Sequence, residues 1–70
     1  MLIGEALKYQ REKAGLTKHE LSKKINISHQ NIGRWENGTI LPNIAFCIKL
    51  ADFYGISLDE LVGREFGHDK

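Results

Sequence analysis

The segment from residue 15 to residue 38 constrains the fold most, because it holds two short helix patterns only a few residues apart. Thr17 and Glu20 have the spacing of a capping box, in which side chains bond free backbone N–H groups of the first helical turn. Ser28 is placed to cap the second helix, and Asn26 between the two patterns tolerates the positive φ of a tight turn. The segment therefore predicts a helix, a short turn and a second helix.

The second of these helices has one apolar side and one polar side. At about 100° per residue, its large apolar residues, Ile32 and Trp35, fall on one side. The opposite side carries His29, Gln30 and Arg34. Glutamine can bond adenine bidentately and arginine can bond guanine bidentately, so this side has the chemistry of major-groove readout. The alternative is a solvated helix face, and the capped helix and tight turn ahead of it favour DNA readout.

Gly33 falls on the same polar side, in the middle of the helix. A glycine there costs about 1 kcal/mol relative to alanine. A bare backbone would let the helix approach base edges closely. A tolerated glycine on a solvated face is the alternative explanation.

Three segments of the chain resemble the helix-turn-helix family of phage repressors and Cro proteins, also called the XRE-like family. They are IGEALKYQREKAGLT at the start, SHQNIGRWENG in the centre and LPNIAFCIKLADFYGISLDELVG at the end, and the resemblance as a whole extends over about residues 3–63. The resemblance implies an all-α fold, a compact five-helix lambda-repressor-like DNA-binding domain. In that family the second and third helices form the helix-turn-helix, and the third helix enters the major groove.

The resemblance also implies roles for particular residues. The positions that read bases in the family, or lie beside those that do, hold His29, Gln30, Arg34, Asn31 and Ser28. The positions that usually touch phosphates hold Thr17, Lys18 and Asn37. The family favours glutamine where Lys18 stands, and that glutamine often braces a recognition-helix glutamine. Lys18 can still meet a phosphate as a point charge.

Arg11 and Glu36 stand at positions that pair in several members of the family. A partly buried fork between guanidinium and carboxylate would tie the first helix to the end of the recognition helix. The alternative is two solvated charges worth about 0–1 kcal/mol.

The 70 residues predict a single domain, 1–70, with the helix-turn-helix at about 17–37 and a short polar tail at 64–70. There is no apolar run long enough to cross a membrane and no secretory signal, so a cytoplasmic protein is expected. We expect no cofactor and no small-molecule ligand, because the predicted single domain offers no ligand pocket or second domain to sense a signal.

The formal net charge is only +1, which argues mildly against nucleic acid, since phosphate neutralisation supplies much of the affinity. The distribution of charge matters more. Basic residues concentrate in the first half, at Lys8, Arg11, Lys13, Lys18, Lys23, Lys24 and Arg34. Acidic residues load the second half, at Asp52, Asp59, Glu60, Glu65 and Asp69. This predicts a basic end that holds the helix-turn-helix, although lysines that serve solubility are the alternative.

The single cysteine, Cys47, lies in the apolar run IAFCIKL, which predicts a buried thiol. The histidines His19, His29 and His68 show no metal-ligand spacing with it, and no metal is expected. An enzyme would need Cys47 and a histidine as a nucleophile pair. The predicted burial of Cys47 argues against that, so no catalytic residue is assigned.

Periodicity and caps predict five helices and no strand. Their approximate ranges are 2–14, 17–25, 28–37, 43–54 and 57–62. In the first helix Ile3, Leu7 and Ala14 are expected to face inward. The glycines that follow the first, third and fourth helices are the expected terminators.

The fourth helix has more apolar residues than one buried face requires. One stripe is Ile44, Cys47, Ile48, Ala51 and Tyr54, and a second is Phe46, Leu50 and Phe53. At Phe46 the family commonly has a polar residue. Phe46 and Phe53, with Phe66 from the tail, either cover a satellite of the core or form a dimer patch.

The function that these features predict is sequence-specific binding of double-stranded DNA as a transcriptional regulator, most simply a repressor. Two copies would occlude an operator, with recognition helices in successive major grooves about 34 Å apart. The candidate dimer residues are Leu58, Val62, Phe66 and Phe46. The alternative is a protein-interaction module, an antitoxin-like or antirepressor partner, that uses the apolar surface of the fourth helix.

Overall fold

The computed structural model describes residues 3–64, which fold into helices joined by short turns. The helices are α1 (Ile3–Lys13), α2 (Lys18–Ile25), α3 (His29–Asn37), α4 (Ile44–Tyr54) and α5 (Leu58–Leu61). No strand occurs within the described range. The predicted all-helical, five-helix fold is confirmed, and the predicted ranges of α2 to α5 begin one residue early because they included the N-cap residues.

The caps that the sequence predicted are present. At the start of α2 the Thr17 hydroxyl accepts from Glu20 N–H (3.0 Å), and the Glu20 carboxylate accepts from Thr17 N–H (2.8 Å). The hydrogen bonds from the Thr17 backbone and side chain lower the pKa of Glu20. Asn26 takes the left-handed conformation (φ 59°) that turns the chain from α2 into α3. Local side chains therefore fix both ends of the turn between the two helices.

Each of the five helices contributes buried residues to the core. Its buried apolar residues are Leu7, Leu21, Ile25, Ile27, Ile32, Trp35, Cys47, Leu50, Ala51 and Leu61. The predicted inward faces of α3 and the predicted burial of Cys47 are confirmed. The prediction for Ala14 was wrong: it follows the end of α1, in the turn, and is exposed.

The apolar residues of α4 are not all buried, as expected of a helix with more of them than one buried face requires. Cys47, Leu50 and Ala51 face the core, so the buried side draws on both of the stripes in the sequence. Ile44 is 66% exposed and Ile48 46% exposed. The helix was apolar on too many sides for periodicity alone to select the buried one.

The aromatic residues of α4 divide between the core and the surface. Phe46 is half-buried, with its ring centroid 5.2 Å from that of Trp35. Phe53 is 40% exposed and meets the Tyr54 ring at 5.1 Å. Of the two roles open to Phe46, packing on the core is the one that its contact with Trp35 supports.

Among the helices in residues 3–64, none is long and apolar enough to cross a membrane.

Candidate nucleic-acid interface

The contact between α1 and α3 sets the position of the third helix. Gly4 lies against the carbonyl end of α3, where a Cβ atom would approach the Trp35 carbonyl oxygen to 2.6 Å and would also collide with the Glu36 carbonyl oxygen. Such distances leave no room for a side chain. The sequence pattern did not single out Gly4, because a glycine inside a helical pattern signals a close approach but not its partner.

Arg11 and Glu36 form the second link between the same two helices. Arg11 Nε donates to Glu36 Oε2 (2.7 Å) and Nη2 donates to Glu36 Oε1 (3.0 Å), which is the bidentate geometry. Arg11 Nη1 donates to the Leu16 carbonyl oxygen (2.8 Å). The two charged side chains are only 9% and 5% exposed. The predicted pairing is confirmed.

The electrostatics of this pair follow from its geometry. The hydrogen bond to Glu36 raises the pKa of Arg11, and burial opposes that shift in part. Removing either partner would leave the other charge poorly solvated and unpaired. The pair therefore holds the C-terminal half of α3 against α1.

Tyr54 of α4 lies close enough to Arg11 and Glu36 for their charges to act on its hydroxyl. Its hydroxyl is buried and has no hydrogen-bond partner within residues 3–64. Burial, with a smaller contribution from the Glu36 charge, raises the pKa of Tyr54 to about 12. Tyr54 therefore keeps its proton over the physiological range. The sequence had placed Tyr54 only in one of the two apolar stripes of the helix.

The opposite face of α3 is open. His29, Gln30 and Arg34 are all exposed, and Ile32 and Trp35 on the other side are buried. Arg34 Nη1 donates to Asn31 Oδ1 at 3.2 Å, one helical turn earlier. This single bond orients the guanidinium while leaving its other N–H donors directed to solvent.

Ser28 precedes the face as the N-cap of α3. Its hydroxyl accepts from the Asn31 backbone N–H (3.2 Å). The hydroxyl is thereby engaged in starting the helix, which is its confirmed structural role.

Gly33 lies on this open face and has space around it. A Cβ atom there would find Lys18 Cδ at 3.8 Å and Lys18 Cε at 4.0 Å, which is ordinary van der Waals contact. The alkyl part of Lys18 therefore passes beside Gly33. The glycine is not needed for the packing of α2 against α3.

The three residues that match phosphate-contacting positions are all exposed. The Thr17 side chain is committed to the capping box. Asn37 Oδ1 accepts from the Thr39 backbone N–H (2.9 Å) and from the Thr39 hydroxyl, so these bonds use its oxygen and not its N–H₂ group. A shallow surface depression between α1, α2 and α3 is lined by Lys8, Lys18, Gly33, Glu36 and Asn37.

A ring contact that the sequence did not indicate joins α2 to this face. The His19 and His29 rings meet edge-to-face, with centroids 5.4 Å apart and an interplanar angle of 66°. The sequence placed His29 among the base-reading positions and gave His19 no role. Nothing in their spacing of ten residues reports a contact that depends on how α2 crosses α3.

The remaining candidate residues lie elsewhere. Leu58 is 37% exposed and Val62 is half-buried. Phe66 and His68 fall outside the described residues. Within residues 3–64 no group of three or more His, Cys, Asp or Glu side chains is placed to hold a metal ion. Burial raises the pKa of Cys47, so its thiol is held in the protonated form.

The fold and the capped helix pair define a helix-turn-helix protein. The family model described as "Helix-turn-helix" matches residues 7–61. This chain belongs to that family, in its XRE type. The resemblance drawn from the sequence segments is therefore confirmed.

Named relatives and a solved structure are similar to the chain over nearly its whole length. It is 35% identical to the HTH-type transcriptional regulator ImmR of Bacillus subtilis, over 93% of this chain and 51% of that protein. It is 38% identical to the cryptic phage CTXphi transcriptional repressor RstR of Vibrio cholerae, over 91% of this chain and 57% of that protein. A crystal structure of a transcriptional regulator from Listeria innocua matches with a TM-score of 0.78 and 29% identity, covering 96% of this chain and 64% of that one. The chain therefore spans a little over half the length of the two named relatives.

Proposed function

We propose that this protein is a sequence-specific, double-stranded DNA-binding regulator of transcription, and that α3 is its recognition helix. The observation that carries the proposal is the open polar face of α3, which is presented on a helix clamped to α1 by the Arg11–Glu36 fork. The names of the relatives support it, since ImmR is described as a transcriptional regulator and RstR as a transcriptional repressor.

Base recognition falls to the exposed side chains of α3. Gln30 has the donor and acceptor needed for adenine, and Arg34 has the fork that fits guanine O6 and N7. The bond from Arg34 to Asn31 orients the guanidinium before DNA arrives. His29 and Asn31 provide further polar contacts on the same side.

Phosphate contacts would come from the edges of this face. Lys18 offers a mobile positive charge beside Gly33, and Asn37 offers its amide N–H₂ group. The N–H groups in the first turn of α2 that the capping box does not use would add the favourable end of a helix dipole. These contacts position the protein on the duplex without reading its sequence.

Repression would follow from occupancy of an operator by two copies. One domain reads only a few base pairs, and each correct pair discriminates by about 1–3 kcal/mol, so genomic specificity calls for a second copy. Two recognition helices on successive major grooves lie about 34 Å apart. Leu58 and Val62, with Phe66, are the candidate residues for pairing, and Phe46 would contribute only the part of its ring that Trp35 leaves exposed. The protein would act in the cytoplasm without a cofactor.

Selection of bound duplexes from a random pool tests the proposal. We expect enrichment of a site with two related halves whose centres are one helical turn apart. A one-to-one complex on a symmetric site, measured by sedimentation, would contradict the dimer while leaving DNA recognition intact. A pool without enrichment, even at low salt, would contradict DNA recognition itself.

A second candidate function is a protein-interaction module. The observation that favours it is the apolar surface of α4 and the loop before it, where Leu41 is 68% exposed and Ile44 is 66% exposed. Large exposed apolar side chains in one region are typical of protein contacts. Loss of binding to every duplex at moderate salt, together with normal folding, would favour this function over the first.

A further inference from the structure

The contact between the His19 and His29 rings is a direct side-chain link from α2 to the open face of α3. His19 is the second residue of α2, and His29 is the first residue of α3. Their edge-to-face arrangement at 5.4 Å lies within the range in which aromatic pairs attract each other. Both side chains are exposed, so the contact is not a by-product of core packing.

The position of His29 gives this contact a consequence for binding. An exposed side chain at the first position of a helix samples several rotamers, and ordering it on binding reduces affinity. Within residues 3–64, the ring of His29 meets the ring of His19. The neighbouring residue Lys18 passes beside Gly33 instead. The first turn of α2 therefore lies beside α3 at both residues, and the histidine contact is the one that involves a polar side chain of the open face.

We propose that His19 is a positioning residue that holds the His29 ring for contact with a purine edge in the major groove. An imidazole N–H is a hydrogen-bond donor, and both purines present the N7 acceptor there, with O6 in addition on guanine. His19 acts through His29 and does not itself read a base. This inference rests on the proposed function and names one further residue on which its specificity depends.

The test compares the full chain with His19→Ala, His29→Ala, the double variant and His19→Phe. Affinities are measured for the duplex enriched by selection and for duplexes changed at each base pair beneath α3. We expect His19→Ala to lower affinity for the preferred duplex about 2- to 10-fold, the range that corresponds to an aromatic pair. The double variant should bind no more weakly than His29→Ala alone, because His19 affects binding only through His29. His19→Phe keeps a ring edge against His29 and should retain the preference.

A readout without DNA separates positioning from general damage. In the free protein, the His29 ring proton resonances should shift in His19→Ala and shift less in His19→Phe. Both histidines are exposed, so thermal unfolding should change by no more than the loss of one ring contact in His19→Ala and less in His19→Phe. Lys18→Ala is the matched control from the same turn, and it should weaken all duplexes alike with a smaller salt dependence.

Two results would overturn the inference alone. One is additive losses from His19→Ala and His29→Ala. The other is a His19→Ala variant that binds all duplexes with equally reduced affinity and a smaller salt dependence, as a phosphate contact would give. If the unaltered protein selects no duplex, the proposed function falls, and this inference falls with it.

Discussion

The contact between α1 and α3 and the open face of α3 each contain a glycine inside a helix, and the reasons for the two glycines differ. At Gly4 a Cβ atom would lie 2.6 Å from the Trp35 carbonyl oxygen, so the packing of the fold requires glycine. At Gly33 the nearest atom to a Cβ would be Lys18 Cδ at 3.8 Å, so the packing does not. A glycine inside a helix is therefore required by packing in the first region and is not required by packing in the second.

The polar groups of the two regions differ in the same way. The Arg11 guanidinium donates hydrogen bonds to Glu36 and to the Leu16 carbonyl oxygen. The Arg34 guanidinium makes one bond, to Asn31, and faces solvent. The inner contact is closed and fixes geometry, whereas the outer face keeps donors free for a ligand. Substitutions in the inner contact should change stability, and substitutions on the outer face should change binding.

The largest effect is expected from Glu36→Ala. It leaves the Arg11 guanidinium in a site where its side chain is 9% exposed, without its carboxylate. An unpaired buried charge of this kind costs about 3–5 kcal/mol, which is a large share of the stability of so small a domain. Urea denaturation of the unaltered protein and the variant measures the difference in the free energy of unfolding.

The control for that substitution replaces both partners. The double variant Arg11→Met with Glu36→Leu removes the charges together, so it should be markedly more stable than Glu36→Ala alone. If Glu36→Ala changes stability by less than about 1 kcal/mol, the pair behaves as an exposed salt bridge. That result would contradict the conclusion that the Arg11–Glu36 pair holds α3 against α1.

Gly4→Ala should have the next largest effect. Its methyl group would meet the backbone carbonyl groups of Trp35 and Glu36, and backbone cannot move aside as a flexible side chain can. Overpacking of this kind costs about 1–3 kcal/mol even though alanine favours the helix itself. Thermal or urea unfolding measures the loss. A variant as stable as the unaltered protein would show that α1 and α3 separate easily, which contradicts the comparison.

Much of the fold could be predicted because its signals are local. Thr17, Asn26 and Ser28 act on backbone groups within a few residues, so the chain around them shows where helices begin and end. The two sides of α3 followed from helical periodicity for the same reason. Even the Arg11–Glu36 fork, which spans 25 residues, was expected only because the chain resembles a family in which those positions pair.

The rest depended on how helices cross, which one sequence does not report. The strict need for Gly4 comes from carbonyl groups of α3, more than 30 positions away. The His19–His29 contact arises from the crossing of α2 and α3. On α4, apolar residues occur on most sides, so periodicity could not place Ile44 on the surface.

Gln30→Ala and Arg34→Ala test the outer face, where the effect should fall on binding. Each should cost about 1–3 kcal/mol of affinity for the preferred duplex and relax the preference at one base pair per half-site. The free energy of unfolding should stay within about 0.5 kcal/mol, since both side chains are exposed.

Lys18→Ala is the comparison variant for those two. It should weaken binding to all duplexes similarly and lower the salt slope by about one unit, as loss of a phosphate contact does. Binding measured at several salt concentrations, on preferred and random duplexes, separates the two patterns. If Arg34→Ala lowers affinity equally for both kinds of duplex, its assigned role in base reading is wrong.

The smallest expected effect, and the one of opposite sign to Gly4→Ala, comes from Gly33→Ala. The added methyl group would sit at ordinary contact distance from Lys18, so the variant should gain up to about 1 kcal/mol of stability from helix propensity. On the preferred duplex it should bind more weakly, because the methyl group holds the α3 backbone away from the base edges. Measurements on one preparation should show a higher free energy of unfolding and a lower affinity for the preferred duplex. A variant that is more stable and binds equally well would show that Gly33 is a tolerated glycine on a solvated face, and the open side of α3 would then lack the close approach we assign to it.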